Sequence, residues 1–255
     1  MNIEKEAIEN HEDIFEGVKY AKDDTKPLSS TDPEYLEIFL NFAFGDVFKD
    51  TNLDNKTRMM VILASMIAQN TVPRYKVFLK AALGIGLTPV EAKEIVYQAI
   101  PYVGIARVFD LIYATNEVLA ESGYNLPLEG QSTTSRDNRF EEGLKLQKSI
   151  FGDTIDKMRE NAPSDQKHIQ DYLSANCFGD FYTRSGLDIK TRELLTFSML
   201  VSLGGCEAQV KGHIQGNLNV GNDRKVLVDT VTNLLPYIGY PRSLNAFSCI
   251  NEICK

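Results

Sequence analysis

LDIKTRELLTFSMLVSLGGCEAQVKGHIQGNLNVG, residues 187–221, decides how this chain is read. It sets Glu193, Cys206 and His213 around one Gly-Gly break. An earlier stretch, LDNKTRMMVILASMIAQNTVPRYKVFLKAALGIG (residues 53–86), runs nearly parallel to it and carries Met59, Thr71 and Phe78 at the matching places. Phe44, Gly45, Asp46, Leu53, Asp54, Lys56, Thr57 and Arg58 recur 134 positions on, as Phe178, Gly179, Asp180, Leu187, Asp188, Lys190, Thr191 and Arg192. After one inserted residue near Gly204-Gly205 the offset becomes 135, and Pro101, Tyr102, Gly104, Arg107, Asn116 and Glu117 return as Pro236, Tyr237, Gly239, Arg242, Asn251 and Glu252. Turn residues and core residues repeat together, at a period far longer than that of a solenoid. The chain is a duplication with one chemically equipped half.

Both copies read as helix. KTRMMVILASMIAQN is apolar nearly all round, and Asp54 before it is a good N-cap. Pro73 restarts the helix, which Gly84 and Gly86 end, and Thr88-Pro89-Val90-Glu91 is a capping box. The helix from that box is expected to run to Pro101, with a joint at 102–104 before the next helix. Upstream, Ile14, Val18 and Ala21 suggest a short helix, and DDTKPLSSTDP a loop. Pro33 opens a helix whose Tyr35, Ile38, Phe39 and Phe42 have the spacing of a buried face. No run alternates with period two, so the expected class is all-α. The Gly, Pro, Ser and Thr content of residues 124–138 marks a linker between a degenerate repeat at 1–123 and a second repeat at 139–255. The entry helix of the second repeat (FEEGLKLQKSIFG) is expected to show Leu144, Lys145, Gln147 and Lys148 on a mixed outer face.

Bulk properties exclude several functions. With 255 residues the chain can bury a sizeable core. A net charge of −8 argues against nucleic-acid binding, which needs Lys and Arg to neutralise phosphates. No apolar run has the length of a membrane span, and the acidic N-terminus does not resemble a signal peptide. Four cysteines without a CxxC pair point to reduced thiols and a cytoplasmic setting. No His, Cys and acidic set has metal-ligand spacing, and no glycine-rich phosphate loop follows a strand, so neither metal nor cofactor is expected.

The segments CFGDFYTRSGLDIKTRELLTFSMLVSLGG, HIQGNLNVG and LLPYIGYPRSLNAF resemble the carboxymuconolactone decarboxylase family, with its all-helical alkylhydroperoxidase D (AhpD-like) fold. The likeness spans essentially the whole second half and, more weakly, the first. It implies one of two chemistries. Decarboxylase members act on ring lactones with acid–base residues and no redox pair. Peroxidase-type members use a CxxC pair, a histidine beyond it and a glutamate on the preceding helix. In this register Cys206 falls on the first cysteine, Gln209 on the second, His213 on the histidine, and Glu193 on, or one residue displaced from, the glutamate. Single-repeat members form rings of six, so a tandem chain is expected to form a homotrimer of six fold units.

Each candidate has a plainer reading. Cys206, at a helix start where free N–H groups stabilise a thiolate, is either a nucleophile or an inert packing residue. His213 lies two turns further on, about 10 Å away along a helix, so direct contact with Cys206 is not expected. It is a proton shuttle or a core histidine. Glu193 stands in an exposed first turn or is buried against a partner as an acid or base. Arg58 and Arg192, kept in both copies, read as structural partners of Asp46/Asp180 or Asp54/Asp188. Arg184 and Arg242 are candidates for holding a substrate carboxylate through a bidentate fork, and Gln209 for a further contact. Cys249 and Cys254 read as packing and surface residues. The leading expectation is cofactor-free acid–base chemistry on a small organic acid or lactone. The rivals are a thiol-dependent peroxidase or reductase using Cys206, and a non-catalytic oligomeric scaffold.

Overall fold

A computed structural model describes residues 2–18 and 28–255. Within these residues the chain is all-α, without a strand. Its centre is a pair of helices, one from each repeat: Asn55–Gln69 and Ile189–Leu203. Eleven residues of each are buried, so these helices lack a polar face and must be enclosed by others. Asp54 and Asp188 cap them by accepting from the Thr57 and Thr191 amides at 2.9 and 2.7 Å.

Around this pair each repeat wraps equivalent helices, Val72–Gly84, Pro89–Val103 and Ile105–Glu121 in the first, Glu207–Asn219, Arg224–Ile238 and Tyr240–Ile253 in the second. The Thr88–Glu91 capping box forms as read. Both repeats have a π-helical stretch before the core helix, Asn41–Asp46 and Leu173–Tyr182. The second lies so close to the entry helix Arg139–Phe151 that a Cβ on Gly143 would collide with the Ser174 carbonyl. Most buried apolar residues of the two repeats form one continuous core, and Ile150, Cys177, Phe178 and Tyr182 form a smaller second cluster.

Several local expectations need correction. The helix Pro89–Val103 does not stop at Pro101, because proline in a final turn removes a single hydrogen bond; Gly104, at φ 82°, ends it. Tyr102 therefore stays on the last turn. Tyr35 and Ile38 are exposed, leaving only Phe39 and Phe42 of that stripe partly covered. Gln147 is buried, and its Oε1 accepts from the Ser174 hydroxyl at 2.8 Å. The first helix ends at Phe15, ahead of Val18; Ala21 and residues 23–27 of the expected loop lie outside the described residues, and its remainder is not all loop, since Leu28–Thr31 is a short helix.

The repeated arginines are structural, but their partners are not the repeated aspartates. Arg192 is 0% exposed and reaches across to the first repeat. Its Nη1 donates to Gln98 Oε1 at 2.9 Å and its Nη2 to Glu94 Oε2 at 3.0 Å. Glu94, 1% exposed, also takes both nitrogens of the Arg184 fork at 2.8–3.0 Å. The mirror arrangement joins Arg58 to Asn233 of the second repeat at 2.9 Å. Asp54 and Asp188 serve as caps, and Asp180 pairs with Arg139. Removing one side of a buried charge cluster leaves the other unpaired, at about 3–5 kcal/mol. Glu94→Ala should lower unfolding stability by that order, about 3–5 kcal/mol, in urea titrations, well beyond the cost of losing an exposed pair such as Lys5–Glu9.

Candidate active site

Glu193 is fully buried on the second core helix, and His213 reaches it from the helix Glu207–Asn219. His213 Nδ1 lies 2.9 Å from Glu193 Oε2. A carboxylate can only accept, so Nδ1 is the donor of this bond and Nε2 is the nitrogen left to exchange a proton. The imidazole stands edge-on to two rings, Tyr102 at 5.2 Å and Phe151 at 5.5 Å between centroids. Its side chain remains 11% exposed. Tyr102 belongs to the first repeat, so the second repeat's site is walled by the first.

The other carboxylate oxygen, Glu193 Oε1, accepts from the Tyr182 hydroxyl at 2.7 Å. Tyr182 in turn meets Thr196 Oγ1 at 2.9 Å, and Gln98 Nε2 donates to that oxygen at 3.1 Å. Burial first, then the Glu193 charge, holds the Tyr182 hydroxyl well above its usual pKa, so it stays a donor. Burial likewise pushes the neighbouring Cys177 thiol up to about 12. Asn217 Nδ2 bonds the Glu193 and His213 carbonyls at 3.0 and 2.7 Å, locking the two helices in register. Where they cross, a Cβ on Gly216 would lie 2.5 Å from Glu193 Oε2 and 2.7 Å from Phe151. Only a glycine leaves room for this carboxylate; the first repeat, with Met59 for Glu193, has Ala81 at that place.

The first repeat keeps the shape of this site without its chemistry. Phe78 takes the place of His213 and stands edge-on to Phe15 and Tyr237, at 5.0 and 5.7 Å. Phe48 replaces Tyr182, and Ile62 replaces Thr196.

The model of the carboxymuconolactone decarboxylase family matches residues 33–117 and again 167–252. The chain belongs to the carboxymuconolactone decarboxylase family. Two relatives agree with it at the level of one repeat. A 4-carboxymuconolactone decarboxylase from Acinetobacter baylyi is 26% identical over 120 residues, 47% of this chain and 89% of that protein. A nitrosuccinic acid decarboxylase from Metarhizium robertsii is 27% identical over 110 residues, 42% of this chain and 75% of that protein. A crystal structure of a candidate gamma-carboxymuconolactone decarboxylase subunit from Burkholderia xenovorans shares the fold over both repeats. Its TM-score is 0.54 at 19% identity, covering 90% of this chain and 92% of that one.

In this family member the structure separates the expected site residues. Glu193 and His213 meet; Cys206 does not join them. It precedes the helix Glu207–Asn219, with its sulfur donating to the Leu200 carbonyl at 3.3 Å. It lines a cavity of about 270 Å³ with Arg242, Asn245 and Cys249, which does not include His213 or Glu193. Of the two readings of Cys206 the environment favours the packing one: burial, aided by the Glu207 charge, pushes the thiol up. Cys249 is indeed buried, and Cys254 half-buried. Arg242 donates only weakly, at 3.4 Å, to Gln69. Arg184 has its fork occupied by Glu94 and lines another cavity of about 320 Å³, with Lys93, Tyr97 and Asn116. Gln209 is exposed and lines neither cavity. Neither arginine bonds Glu193 or His213 among the described contacts.

Sequence reasoning passed over Tyr182, Thr196, Gln98, Tyr102 and Gly216. The signal was present in the comparison of the repeats: Phe48/Tyr182, Ile62/Thr196 and Ala81/Gly216 change together with Met59/Glu193.

Two outcomes follow from this geometry. Gly216→Ala should force Glu193 and Phe151 apart, costing about 1–3 kcal/mol by overpacking, measurable by urea unfolding, and should break the Nδ1 hydrogen bond of His213. Because the Cys206 thiol is raised, its thiolate fraction at neutral pH is smaller than that of a free cysteine. Its alkylation by iodoacetamide should be slower than the free amino acid's at pH 7 and should keep rising with pH beyond about pH 8.5, where the free amino acid's begins to level off, with Cys206→Ser subtracting the other thiols.

Proposed function

We propose that the chain is a decarboxylase that acts on a small organic acid or lactone by acid–base chemistry at His213 and Glu193. The hydrogen bond between His213 Nδ1 and a fully buried carboxylate carries this reading. It fixes Nδ1 as the donor and leaves Nε2 to take up one proton and deliver it. The decarboxylase names of two relatives support the reaction class.

The step balances as follows. The bond from carbon to the leaving carboxylate breaks, CO₂ departs, and the electron pair passes into a neighbouring carbonyl or comparable acceptor on the substrate. The His213 ring, which takes a proton from solvent at Nε2 and is then positive, gives that proton to the carbon and returns to its neutral form. Glu193 supports the positive ring while it exists. The Tyr102 and Phe151 rings offer little hydration to a substrate carboxylate, which favours release of neutral CO₂ over the charged ground state. The proposal assigns no role to Cys206, whose raised thiol and place in a cavity without His213 or Glu193 count against thiol redox chemistry.

The assembly we propose is a homotrimer of tandem chains, six fold units in all. Its support is apolar exposure repeated in both halves: Tyr35 and Ile38 are matched by Ile169 and Tyr172, and Ile105 and Phe109 by Tyr240 and Leu244.

A screen of small acids with an electron-accepting group beside the carboxylate, read by CO₂ release, tests the reading. With a substrate in hand, His213→Gln and Glu193→Gln should each lower kcat by about 10²–10⁴. Cys206→Ser should leave it within a few-fold. The opposite pattern, a dead Cys206→Ser and active dyad variants, would overturn the assignment.

A further inference from the structure

The charge cluster at the repeat interface and the dyad are joined by one run of hydrogen bonds whose protons can be placed by elimination. Tyr182 has a single hydroxyl proton, and the Glu193 carboxylate, which cannot donate, takes it. The contact between Tyr182 and Thr196 must then be donated by Thr196. With its proton used, Thr196 Oγ1 can only accept from Gln98 Nε2. The Gln98 amide cannot flip, because its Oε1 is held by Arg192 Nη1. Arg192, Gln98, Thr196, Tyr182 and Glu193 therefore form a chain in which every donor points the same way, toward the carboxylate. Each side chain but Glu193 donates to the next, and Gln98, Thr196, Tyr182, Glu193 and Arg192 are all buried. In such surroundings successive bonds polarise one another.

We infer that Gln98, contributed by the chemically degenerate first repeat, is a positioning residue for the second repeat's dyad, acting through Thr196 and Tyr182 to orient Glu193 and so to fix the His213 tautomer. The inference rests on the proton-shuttle reading of His213, but it concerns hydrogen-bond order and is read without substrate. Pseudo-symmetry supplies an internal control. Asn233 takes the Arg58 Nη1 hydrogen bond as Gln98 takes that of Arg192, at 2.9 Å in both cases. The first repeat has Ile62 and Phe48 where a relay would continue, so Asn233 bonds its arginine and leads nowhere.

The test is proton and nitrogen NMR of ¹⁵N-histidine-labelled protein, which contains three histidines, with His213→Ala for assignment. The wild type should show a downfield Nδ1–H proton and the shifts of one neutral tautomer at His213. Tyr182→Phe removes the donor to Glu193 and should move or abolish that proton signal. Gln98→Ala and Thr196→Val should move it in the same direction, with mixed tautomers appearing. Asn233→Ala should leave it in place, although it disturbs the equivalent interface bond. Thr196→Val keeps the branched side-chain shape and carries the test if Gln98→Ala does not fold. A wild-type signal in Thr196→Val would overturn the inference, and so would an equal change in Asn233→Ala, which would mark a general loosening of the interface. Where a substrate is known, Thr196→Val should lower kcat with little change in KM. Failure to find any decarboxylation would defeat the functional reading and leave the NMR result to decide this one.

Discussion

Everything in this molecule leans on one buried guanidinium. Arg192 has no access to water, and a charge so placed needs fixed acceptors; its two terminal nitrogens have them, while its Nε has none among the described residues. Burial pulls its pKa down, and Glu94 is the main influence pulling it back up. Its side-chain acceptors, Glu94 and Gln98, come from the other repeat, beside the Arg184 and Ser185 carbonyls of its own, so the halves cannot separate without taking the carboxylate from the charge. The same demand orders the neighbourhood of the site. Gln98 is held by the arginine and therefore has a defined donor to offer Thr196.

The duplicated architecture explains why a repeat without acid–base groups persists. Each repeat lends an aromatic ring to the other's central position, Tyr102 to His213 and Tyr237 to Phe78. The first repeat thus supplies one wall of the second repeat's site and receives an apolar plug in its own. Its substitutions are consistent with one another: Met59, Ile62, Phe48 and Phe78 replace a polar network with hydrocarbon and rings, which need no hydrogen-bond partners. Gly216 and Ala81 record the same divergence in backbone clearance, since a glutamate beside that helix needs the missing Cβ.

Part of this was open to inspection in the chain itself. Helix caps at Asp54, Thr88 and Asp188 involve residues three positions apart, and local sequence states them directly. Pairing of Arg192 with Asp180 or Asp188 was a natural guess from proximity along the chain, and it failed because the chosen partners lie more than ninety positions away. The exposure of Glu193 was undecidable locally. Its helix is apolar on every side, so no face identifies itself as outward.

The amino-acid sequence by itself determined the duplication, the helical class, the family and the half in which polar chemistry replaced hydrocarbon. Periodicity and repeat register carry that information, because they depend on neighbours within a turn or two and on position-by-position comparison. Only the tertiary structure decided that His213 finds Glu193 while Cys206 faces a separate cavity with Arg242. It alone brought Gln98 and Tyr102 across from the other repeat. Contacts between helices are set by which surfaces approach and how closely. Here that is decided by a glycine without a Cβ and a buried charge in search of acceptors.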